Sequence, residues 1–485
     1  MSASRTGGGD RVGRPAFVAL RQLRLASLIA VLAAGALLIP QTAAAALPPT
    51  VPMLWAAPYV VADPGSSFCE ALAQAPAGDA YVLSSLTTPA SLSTVVLARL
   101  TAATGAAAWT RTTTGRAGLG AYPRDVAGAG GRGVAITGAS SAGALDADVL
   151  TAMYDTDGGL RWSKELDGGR HGYDQGAAVA VDRAGNVLVA GSVQRRSSFM
   201  DSDFAVLKYS PRGRLLWKYV YSTRRSDSAT DILVDAGGNA YVVGTVDSAK
   251  GGPSSLLTLS LSPAGKLRWS SRIGAPGVTY NAGTLLSRSG SVYACASVRV
   301  LWSAAMPVVV KYSSTGRQAW AAGAGRAWYM GFGATLDADG RVCWCGVDEL
   351  DTGGGTISIG AVAVLKPKGT SGLQAYSTFW GEIGPVDYPV SLEDIVVDDL
   401  GRVYCCGWLA LDGAGTANAP VVLRWPAPTS GSWSAAAMWS QVVPWGFGNS
   451  FSRLLHVGDR IYAGGTAQAG GHQVSFVQSL SAVAP

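Results

Sequence analysis

The sequence predicts an all-β protein, an eight-bladed β-propeller whose blades are four-stranded antiparallel sheets. Three observations lead to this prediction: a glycine turn that recurs eight times, a tryptophan that recurs at a matching interval, and chain ends that complete each other. Only 14% of the 485 residues are charged and 48% are hydrophobic, which is typical of a chain that buries a large core.

The first repeat is an Asp/Gly turn between two short strands. The clear copies are VDRAGNVLVAGS (181–192), VDAGGNAYVVGT (234–245), LDADGRVCWCGV (336–347) and VDDLGRVYCCGW (397–408). The weaker copies lie at 75–85, 131–140, 287–297 and 456–466. Apolar and small residues alternate on both sides of each turn, and this pattern predicts strands rather than helices.

The second repeat is an apolar strand and a glycine turn followed by a tryptophan. These tryptophans stand at positions 55, 109, 162, 217, 269, 320, 380 and 439, at intervals of 51 to 60 residues. Each unit therefore contains four short strands, here called A to D, as a propeller blade does. In the fourth unit the strands read SATDILVD, GNAYVVG, SSLLTLSLS and KLRWSSRI.

The two ends of the chain fix the number of blades. Residues 450–482 supply strands A, B and C of a last blade, and VPMLWAAPYV (51–60) supplies a D strand with Trp55 at the repeat position. We therefore expect the N-terminal strand to complete the last blade and to close a ring of eight. A ring of seven blades is the alternative, because residues 121–145 form the least regular unit.

Residues 1–46 have the features of a secretory signal peptide. Five arginines and one aspartate in 1–24 precede the apolar run LASLIAVLAAGALLI (25–39), and QTAAAA follows Pro40. We expect cleavage near Ala46, a propeller over 47–485, and a secreted or periplasmic protein without a transmembrane domain; a retained anchor is the alternative. Removing the leader's charge of +4 lowers the net charge from +6 to +2, which argues against nucleic-acid binding.

The repeat resembles the bacterial propeller repeats called SBBP repeats, most clearly in YDQGAAVAVDRAGNVLVAGS…DSDFAVLKYSPRGRLLW (173–217). YDTDGGLRW (154–162) and LTAATGAAAW (100–109) are also similar to the tryptophan-docking repeat of quinoprotein-like (PQQ-like) eight-bladed propellers. Together the two resemblances cover nearly all of 51–482. They imply the architecture but no single activity, because such families include enzymes, assembly factors and binding scaffolds.

Two adjacent cysteines, Cys405 and Cys406 in GRVYCCGW, raise the question of redox chemistry. The quinoprotein resemblance implies a vicinal disulfide over a pyrroloquinoline quinone, with a catalytic aspartate and a calcium ion beside it. In the repeat, however, the pair aligns with the two valines of GNAYVVG, and adjacent strand residues point to opposite faces of a sheet. We expect buried thiols; a bond from Cys405 to Cys343 or Cys345 of the preceding blade is the alternative.

The remaining motifs favour turns over chemistry. Asp182, Asp235, Asp337 and Asp398 recur before the A–B turn, and we interpret them as turn-forming side chains rather than calcium ligands. GAGGRG (128–133) precedes no helix, and a phosphate site built on that motif needs a helix N-terminus. The sequence therefore predicts no catalytic residue, no metal site and no cofactor.

One candidate binding site follows from the topology. The D–A and B–C loops of a four-stranded blade emerge on the same face of the disc, around one mouth of the central channel. The basic residues expected on this face are Arg170, His171, Arg195, Arg196, Arg224, Arg225 and Lys250. We expect an acidic protein, a glycan or another anionic ligand to bind there. The alternative is solvated loop charge, because aspartates are interspersed with these residues.

The sequence thus favours a monomeric, non-catalytic scaffold that binds a ligand or protein at the cell envelope. Two alternatives remain open. A PQQ-dependent quinoprotein-type oxidoreductase requires a vicinal disulfide at the channel mouth with convergent Glu, Asn, Asp and Arg. A polysaccharide-active enzyme requires paired carboxylates, or a Tyr/His/Arg group, in the channel.

Overall fold

The structure is a computed structural model, and the residues that it describes are 53–55, 59–61, 65–88, 92–141, 143, 146–169, 171–194, 201–247, 253–300, 305–323, 330–351, 356–365, 373–379, 381–383, 386–410, 418–428, 439–442, 450–469 and 471–482. The expected signal peptide lies outside them. The described residues form β-strands with three short 3-10 turns at Pro76–Gly78, Arg116–Gly118 and Gly130–Arg132. Within these ranges no helix is long and apolar enough to cross a membrane.

The strands form eight antiparallel four-stranded sheets in chain order, plus one short hairpin. Blades 1 and 2 consist of β2 (Ser66–Gln74), β3 (Ala80–Thr87), β4 (Ser93–Leu100), β5 (Ala107–Thr113), β6 (Ala121–Gly128), β7 (Val134–Ser141), β8 (Ala147–Tyr154) and β9 (Leu160–Leu166). Blades 3 and 4 consist of β10 (Gln175–Val181), β11 (Val187–Gln194), β12 (Ser202–Tyr209), β13 (Leu215–Tyr221), β14 (Asp227–Val234), β15 (Ala240–Asp247), β16 (Ser254–Leu261) and β17 (Leu267–Ile273).

Blades 5 and 6 consist of β18 (Val278–Arg288), β19 (Ser291–Val300), β20 (Met306–Ser313), β21 (Gln318–Gly323), β22 (Met330–Leu336), β23 (Val342–Asp351), β24 (Thr356–Leu365) and β25 (Leu373–Phe379). The hairpin is β26 (Gly381–Ile383) and β27 (Val386–Tyr388). Blades 7 and 8 consist of β28 (Val390–Val397), β29 (Val403–Ala410), β30 (Asn418–Trp425), β31 (Trp439–Val442), β32 (Ser450–Val457), β33 (Arg460–Ala469), β34 (His472–Ser481) and β1 (Tyr59–Val60).

The ring closes through the N-terminal strand, as the sequence predicts. Strand β1 pairs antiparallel with β34, so that the last blade has the order β1-β34-β33-β32. The backbone N–H of Leu54 donates to the Ser479 carbonyl (2.9 Å), and that of Val61 donates to the Ser475 carbonyl (3.0 Å). The eight-bladed fold is therefore confirmed, and the unit at 121–145 belongs to a regular second blade.

The hydrophobic core lies between neighbouring blades. Because successive strand residues point to opposite faces, each blade contributes to two interfaces. Cys405 packs in the cluster of blades 6 and 7 with Cys343 and Cys345, whereas Cys406 packs in the cluster of blades 7 and 8 with Phe451. All six cysteines are free and buried, so the expectation of core thiols on opposite faces is confirmed.

Tryptophans connect the blades at their outer edge. The indole Nε1 of one blade donates to a carbonyl in the C–D turn of the next blade, and a glycine of that turn with positive φ lies against the indole ring. The pairs are Trp55–Ala102 (2.9 Å), Trp109–Thr156 (2.8 Å), Trp162–Pro211 (3.0 Å), Trp217–Pro263 (2.9 Å) and Trp269–Ser314 (3.1 Å). This series runs from blade 8 to blade 5, and it explains why a glycine turn and a tryptophan recur together in the second repeat.

The recurring aspartates form the A–B turns, which confirms their interpretation as turn residues. Asp182 Oδ1 accepts the backbone N–H groups of Ala184 (3.0 Å) and Asn186 (2.8 Å). Asp235, Asp337 and Asp398 accept the same two N–H groups of their own turns, each at 2.8 to 3.0 Å. These carboxylates therefore orient the A–B hairpins.

Gly213→Ala tests the docking of Trp162 on the next blade. Gly213 has a φ of +77°, and a Cβ built there would lie 2.7 Å from the Trp162 ring. We expect the free energy of unfolding to fall by about 2–4 kcal/mol, measured by urea titration, because backbone strain and overpacking add. In the control Gly458→Ala, φ is +61° and no atom lies within 4 Å of the added Cβ, so the free energy of unfolding should fall by only about 1 kcal/mol. Equal losses would contradict the docking role.

Candidate functional site

A β-bulge interrupts the innermost strand of every blade. The register between strands A and B shifts by an extra residue in all eight sheets. The inserted positions are Glu70, Arg124, Ala177, Thr230, Gly283 with Thr284, Phe332, Glu393 and Ser452. A bulge re-aims the side chains around it. The strands that line the central channel can therefore turn polar groups inward while their neighbours pack in the blade core.

A cavity of about 400 Å³ lies at the level of these bulges and is lined by residues from all eight blades. Its charged lining residues are Glu70, Arg124, Asp125, Asp231, Glu393, Asp394 and Arg453. Small or hydroxyl side chains complete the wall, among them Ala178, Thr230 and Thr284. The volume is within the range of small-molecule sites, and the charged lining favours a polar ligand.

Three of the lining acids join neighbouring blades. Asp125 accepts the N–H of Val126 (2.8 Å) with one oxygen and that of Val179 in the next blade (2.8 Å) with the other. Asp231 does the same with Ile232 and Leu285, and Asp394 with Ile395 and Leu454, at 2.7 to 2.8 Å. Both oxygens of each carboxylate are thus used by backbone amides. We assign these three aspartates a structural role in the wall of the channel.

The protein around the channel disfavours charge on these acids. Burial raises the pKa of Asp125 to about 7, against the lowering effect of the hydrogen bond from Val179. Burial likewise raises the pKa values of Asp231 and Asp394, again against the effect of their backbone hydrogen bonds. The pKa of Glu393 is raised by burial and lowered in part by Arg453. Near neutral pH the Asp125 carboxyl is therefore partly protonated.

The other charged lining groups have fewer protein partners. Glu70 accepts a hydrogen bond from Ser85 Oγ (2.7 Å). Arg453 donates to the Glu70 backbone carbonyl (2.6 Å), and Arg124 donates to the side-chain oxygen of Gln175 (2.5 and 3.0 Å). Both arginines are exposed to the channel. Arg124, Glu393 and Arg453 therefore form the part of the wall that has hydrogen-bonding capacity left for a ligand.

The described strands bound two D–A and two B–C connections in the part of the chain where the basic face is expected. The D–A connections span 167–174 and 222–226, and the B–C connections span 195–201 and 248–253. The expected residues Arg170, Arg195, Arg196 and Lys250 lie outside the described residues. The ligand role of this face stays a prediction.

The other three expected residues are among the described residues, and two of them lie near acids. The Nδ1 atom of His171 lies 3.3 Å from an oxygen of Asp167, and the side chain is 81% exposed. Arg224 is exposed, and its backbone φ is +63°. Burial raises the pKa of Asp247, and the nearby charge of Arg225 lowers it in part.

Buried aspartates shape the loops of this face. Asp174 accepts the N–H groups of Gly168 and of Gln194 (2.6 Å), and Asp227 accepts from the N–H (2.5 Å) and hydroxyl (2.7 Å) of Thr223. Burial raises the pKa of Asp174 to about 6 and raises that of Asp227 as well. These acids are parts of the loop structure and do not act as solvated counterions for the basic residues.

Sequence reasoning missed the channel site because the inserted residue in each A strand hides it. The period-2 pattern of a strand breaks at a bulge, so Glu393 and Asp394 resemble loop residues in a one-dimensional reading. A signal was present nonetheless. The acid of each inter-blade contact directly precedes Val or Ile in RDV (124–126), TDI (230–232) and EDI (393–395).

Solved propellers resemble this chain in fold. The quinohemoprotein alcohol dehydrogenase from Comamonas testosteroni aligns over 90% of this chain and 77% of its own, with 11% identity and a TM-score of 0.51. A neuraminidase-like protein from A/bat/Guatemala/164/2009 aligns over 92% and 97%, with 8% identity and a TM-score of 0.40. The α-L-arabinofuranosidase from Fusarium graminearum aligns over 63% and 92%, with 10% identity and a TM-score of 0.34. At these identities the likeness shows the fold alone.

No protein-family model and no curated protein matches the sequence. The resemblance to SBBP repeats therefore stays a prediction. The likeness to the quinoprotein propeller, in contrast, is confirmed at the level of the fold.

The cysteines of this chain do not fit the role that the quinoprotein resemblance implies. Cys405 and Cys406 are fully buried in two different blade interfaces, and neither lines the channel cavity. The lining does bring Glu, Asp and Arg together, but both oxygens of its three aspartates accept backbone N–H groups. The donor set thus lacks the vicinal disulfide over a quinone, and we derive no step through that cofactor.

The burial of the cysteines predicts that the native protein does not react with the thiol reagent DTNB. Burial raises the pKa values of Cys405 and Cys406 well above the usual thiol range, which suppresses the reactive thiolate. After unfolding in guanidinium chloride we expect all six thiols to react. If only four thiols per chain react in the unfolded protein, two cysteines form a disulfide. Fast reaction of the native protein would contradict the burial of the thiols.

Asp125→Asn should flatten the pH dependence of stability. The pKa of Asp125 is about 7 in the fold against 3.8 unfolded, so folding favours its protonated form. This contribution is fully present below pH 3.8 and is lost as the pH rises through about 7. Urea unfolding from about pH 4 to pH 7 should therefore show a smaller loss of stability in the variant than in the wild type. The exposed Asp157→Asn is the control, and a variant slope equal to the wild-type slope would contradict the assignment.

Proposed function

We propose that this protein is an extracytoplasmic, non-catalytic propeller that binds a hydroxyl-rich polar ligand, such as the end of a glycan, in its central channel. The observation that carries the proposal is the convergence of charged side chains from several blades on one cavity of about 400 Å³. The secreted location rests on the expected signal peptide. This function retains the scaffold role that the sequence favours, with the ligand-binding site in the channel.

The chemistry of the wall supports a neutral, hydroxyl-rich ligand. Arg124 and Arg453 offer fixed donors, whereas Glu393 offers acceptors, so that adjacent hydroxyl groups can donate and accept at once. A strongly charged ligand of either sign would leave some of these groups unpaired.

The non-catalytic part of the proposal rests on the state of the carboxylates. Acid–base catalysis on a glycosidic bond needs two carboxyl groups whose oxygens can reach the substrate. Asp125, Asp231 and Asp394 use both oxygens for backbone amides, and Glu70 accepts from Ser85. Among the described lining residues, Glu393 is the one acid whose side chain accepts no hydrogen bond from the protein, and a single such acid favours binding over hydrolysis.

The basic face belongs to the same proposal as an outer subsite. The D–A and B–C loops surround one mouth of the channel, so a chain whose end enters the cavity would extend across them. We propose that Arg170, His171, Arg195, Arg196, Arg224, Arg225 and Lys250 contact the outer units of a longer ligand or its protein carrier. Acidic substituents on these units would pair with the basic residues.

A glycan array followed by isothermal titration calorimetry tests the channel site. We expect Arg124→Gln and Glu393→Gln each to weaken binding of a selected oligosaccharide by about 10–100-fold, because each removes a charge-assisted hydrogen bond. Arg161→Gln, an exposed change on the outer strand of blade 2, is the matched control and should bind as the wild type does. The combined change of Arg195, Arg196, Arg224 and Arg225 to Ala should weaken only longer or acidic ligands.

Three outcomes would contradict the proposal. Binding that survives both channel changes would move the site out of the channel. Release of reducing ends from the ligand, abolished in Glu393→Gln, would identify a polysaccharide-active enzyme instead. Dye-linked alcohol oxidation after addition of pyrroloquinoline quinone and calcium would identify the oxidoreductase alternative.

A further inference from the structure

The outer rim of blades 3–5 carries basic charge of one sign. The rim is defined here as the C–D turns and D strands at 210–221, 262–273 and 313–323, and its three segments contain no Asp or Glu. Its basic residues are Arg212, Arg214, Lys218, Lys266, Arg268, Arg272 and Arg317, and all seven are exposed. The C–D turn and D strand of blade 2 (155–166), in contrast, contain Asp155, Asp157 and Glu165 beside the basic residues Arg161 and Lys164.

The rim also exposes large apolar side chains. Leu215, Leu216 and Leu267 are 41%, 39% and 47% exposed, although each is flanked by basic residues in the sequence. Trp217 and Trp269 are partly buried beside them, between the edges of adjacent blades. Exposure of leucine side chains to water is energetically unfavourable and does not increase the solubility of the protein.

The charge of the rim is segregated from the rest of the propeller. Residues 47–485 have a net charge of +2, so the seven basic residues of the rim leave −5 for the remainder. Asp182 and Asp235 in the A–B turns of blades 3 and 4 are engaged within the protein: Asp182 pairs with Lys208 (2.9 Å), and Asp235 accepts from Asn239 (2.9 Å) and Tyr241 (3.1 Å). The rim thus presents a local positive field that the small net charge conceals.

Protection of a sheet edge accounts for only part of this pattern. Charged side chains on an edge strand prevent pairing with other chains, but charges of either sign serve that purpose. Edge protection also disfavours exposed leucines on the same strands. The combination of one-sign charge with apolar side chains therefore points to a partner.

We infer that the rim of blades 3–5 associates with the anionic surface of a phospholipid bilayer. Lysine and arginine side chains pair with lipid phosphates, and each contributes about 1 kcal/mol near an anionic surface. Leucine side chains gain free energy by entering the apolar part of the interface, and Trp and Tyr favour the headgroup level. A soluble anionic polymer would engage the charges but would leave the leucines in water. This surface lies on the opposite side of the blades from the channel wall and does not depend on the proposed channel ligand.

Vesicle flotation tests the association. We expect the full chain to float with phosphatidylcholine vesicles that contain phosphatidylglycerol, to remain unbound with pure phosphatidylcholine, and to be released by salt. The double variant Arg214→Gln/Lys266→Gln should bind about 30-fold more weakly, since two charges of about 1 kcal/mol each are removed. Both side chains are exposed, so the fold should be kept. Arg116→Gln/Arg299→Gln, which removes two exposed charges elsewhere, is the matched control and should bind as the wild type does.

A local probe separates the rim from the basic N-terminal segment. The native cysteines are all buried, so the environment-sensitive fluorophore NBD can be attached selectively to Leu216→Cys. We expect its emission to shift to the blue on addition of the anionic vesicles and to stay unchanged with pure phosphatidylcholine. A label at the exposed His472→Cys of blade 8 is the control and should not respond.

A second variant tests the apolar part. Leu215→Ser/Leu267→Ser keeps every charge and should weaken binding while circular dichroism and the unfolding midpoint stay near wild-type values. The inference fails if this variant or the Arg214/Lys266 variant binds like the wild type, or if both charge variants lose binding equally. It fails also if NBD at position 216 gives no shift, or if the protein binds soluble polyglutamate but not the vesicles.

Discussion

The ring depends on one strand pairing between the two ends of the chain. Strand β1 completes the sheet of β32, β33 and β34, and without it the edge of β34 would lie open to solvent or to another chain. The same segment carries Trp55, whose indole bonds to Ala102 and packs against Gly105 in blade 1. One pairing therefore both completes a blade and begins the series of tryptophan contacts. Because each blade packs only against its two neighbours, a break at this point would free both ends of the series.

The bulges link the stability of the ring to its channel. In blades 2, 4 and 7 the inserted residue of strand A lines the channel cavity, and the following residue lies at the joint with the next blade. At three joints that residue is an aspartate whose carboxylate bonds to the next blade. Buried carboxylates destabilise the fold in their charged form, and the raised pKa of Asp125 reflects this cost. The polar wall is thus retained at the expense of stability, as functional cavities commonly are.

The repeats made the fold predictable, and the bulges made the site difficult to predict. The segment GNAYVVG predicted the strand that the structure shows as Ala240–Asp247, and its alignment with VYCCGW placed Cys405 and Cys406 on opposite faces before any contact was known. Those inferences need only period-2 alternation, which regular strands obey. The channel residues follow an insertion that shifts the register, so alternation alone misassigns them. The loop aspartates misled for another reason, because composition cannot distinguish the buried Asp174 and Asp227 from solvated charges.

The net charge of this protein is a poor guide to the charge of its surface, because buried and solvated acids count equally in it. Many of its acids accept hydrogen bonds from backbone amides in turns, loops and the channel wall, whereas the basic residues of the rim remain exposed. A ligand or surface outside the protein therefore meets a stronger positive rim than a count of charges suggests. The blade architecture also keeps the two surfaces apart, since strand A lines the channel, strand D forms the rim, and strands B and C between them are buried. A ligand bound in the channel, as proposed, would therefore leave the rim accessible.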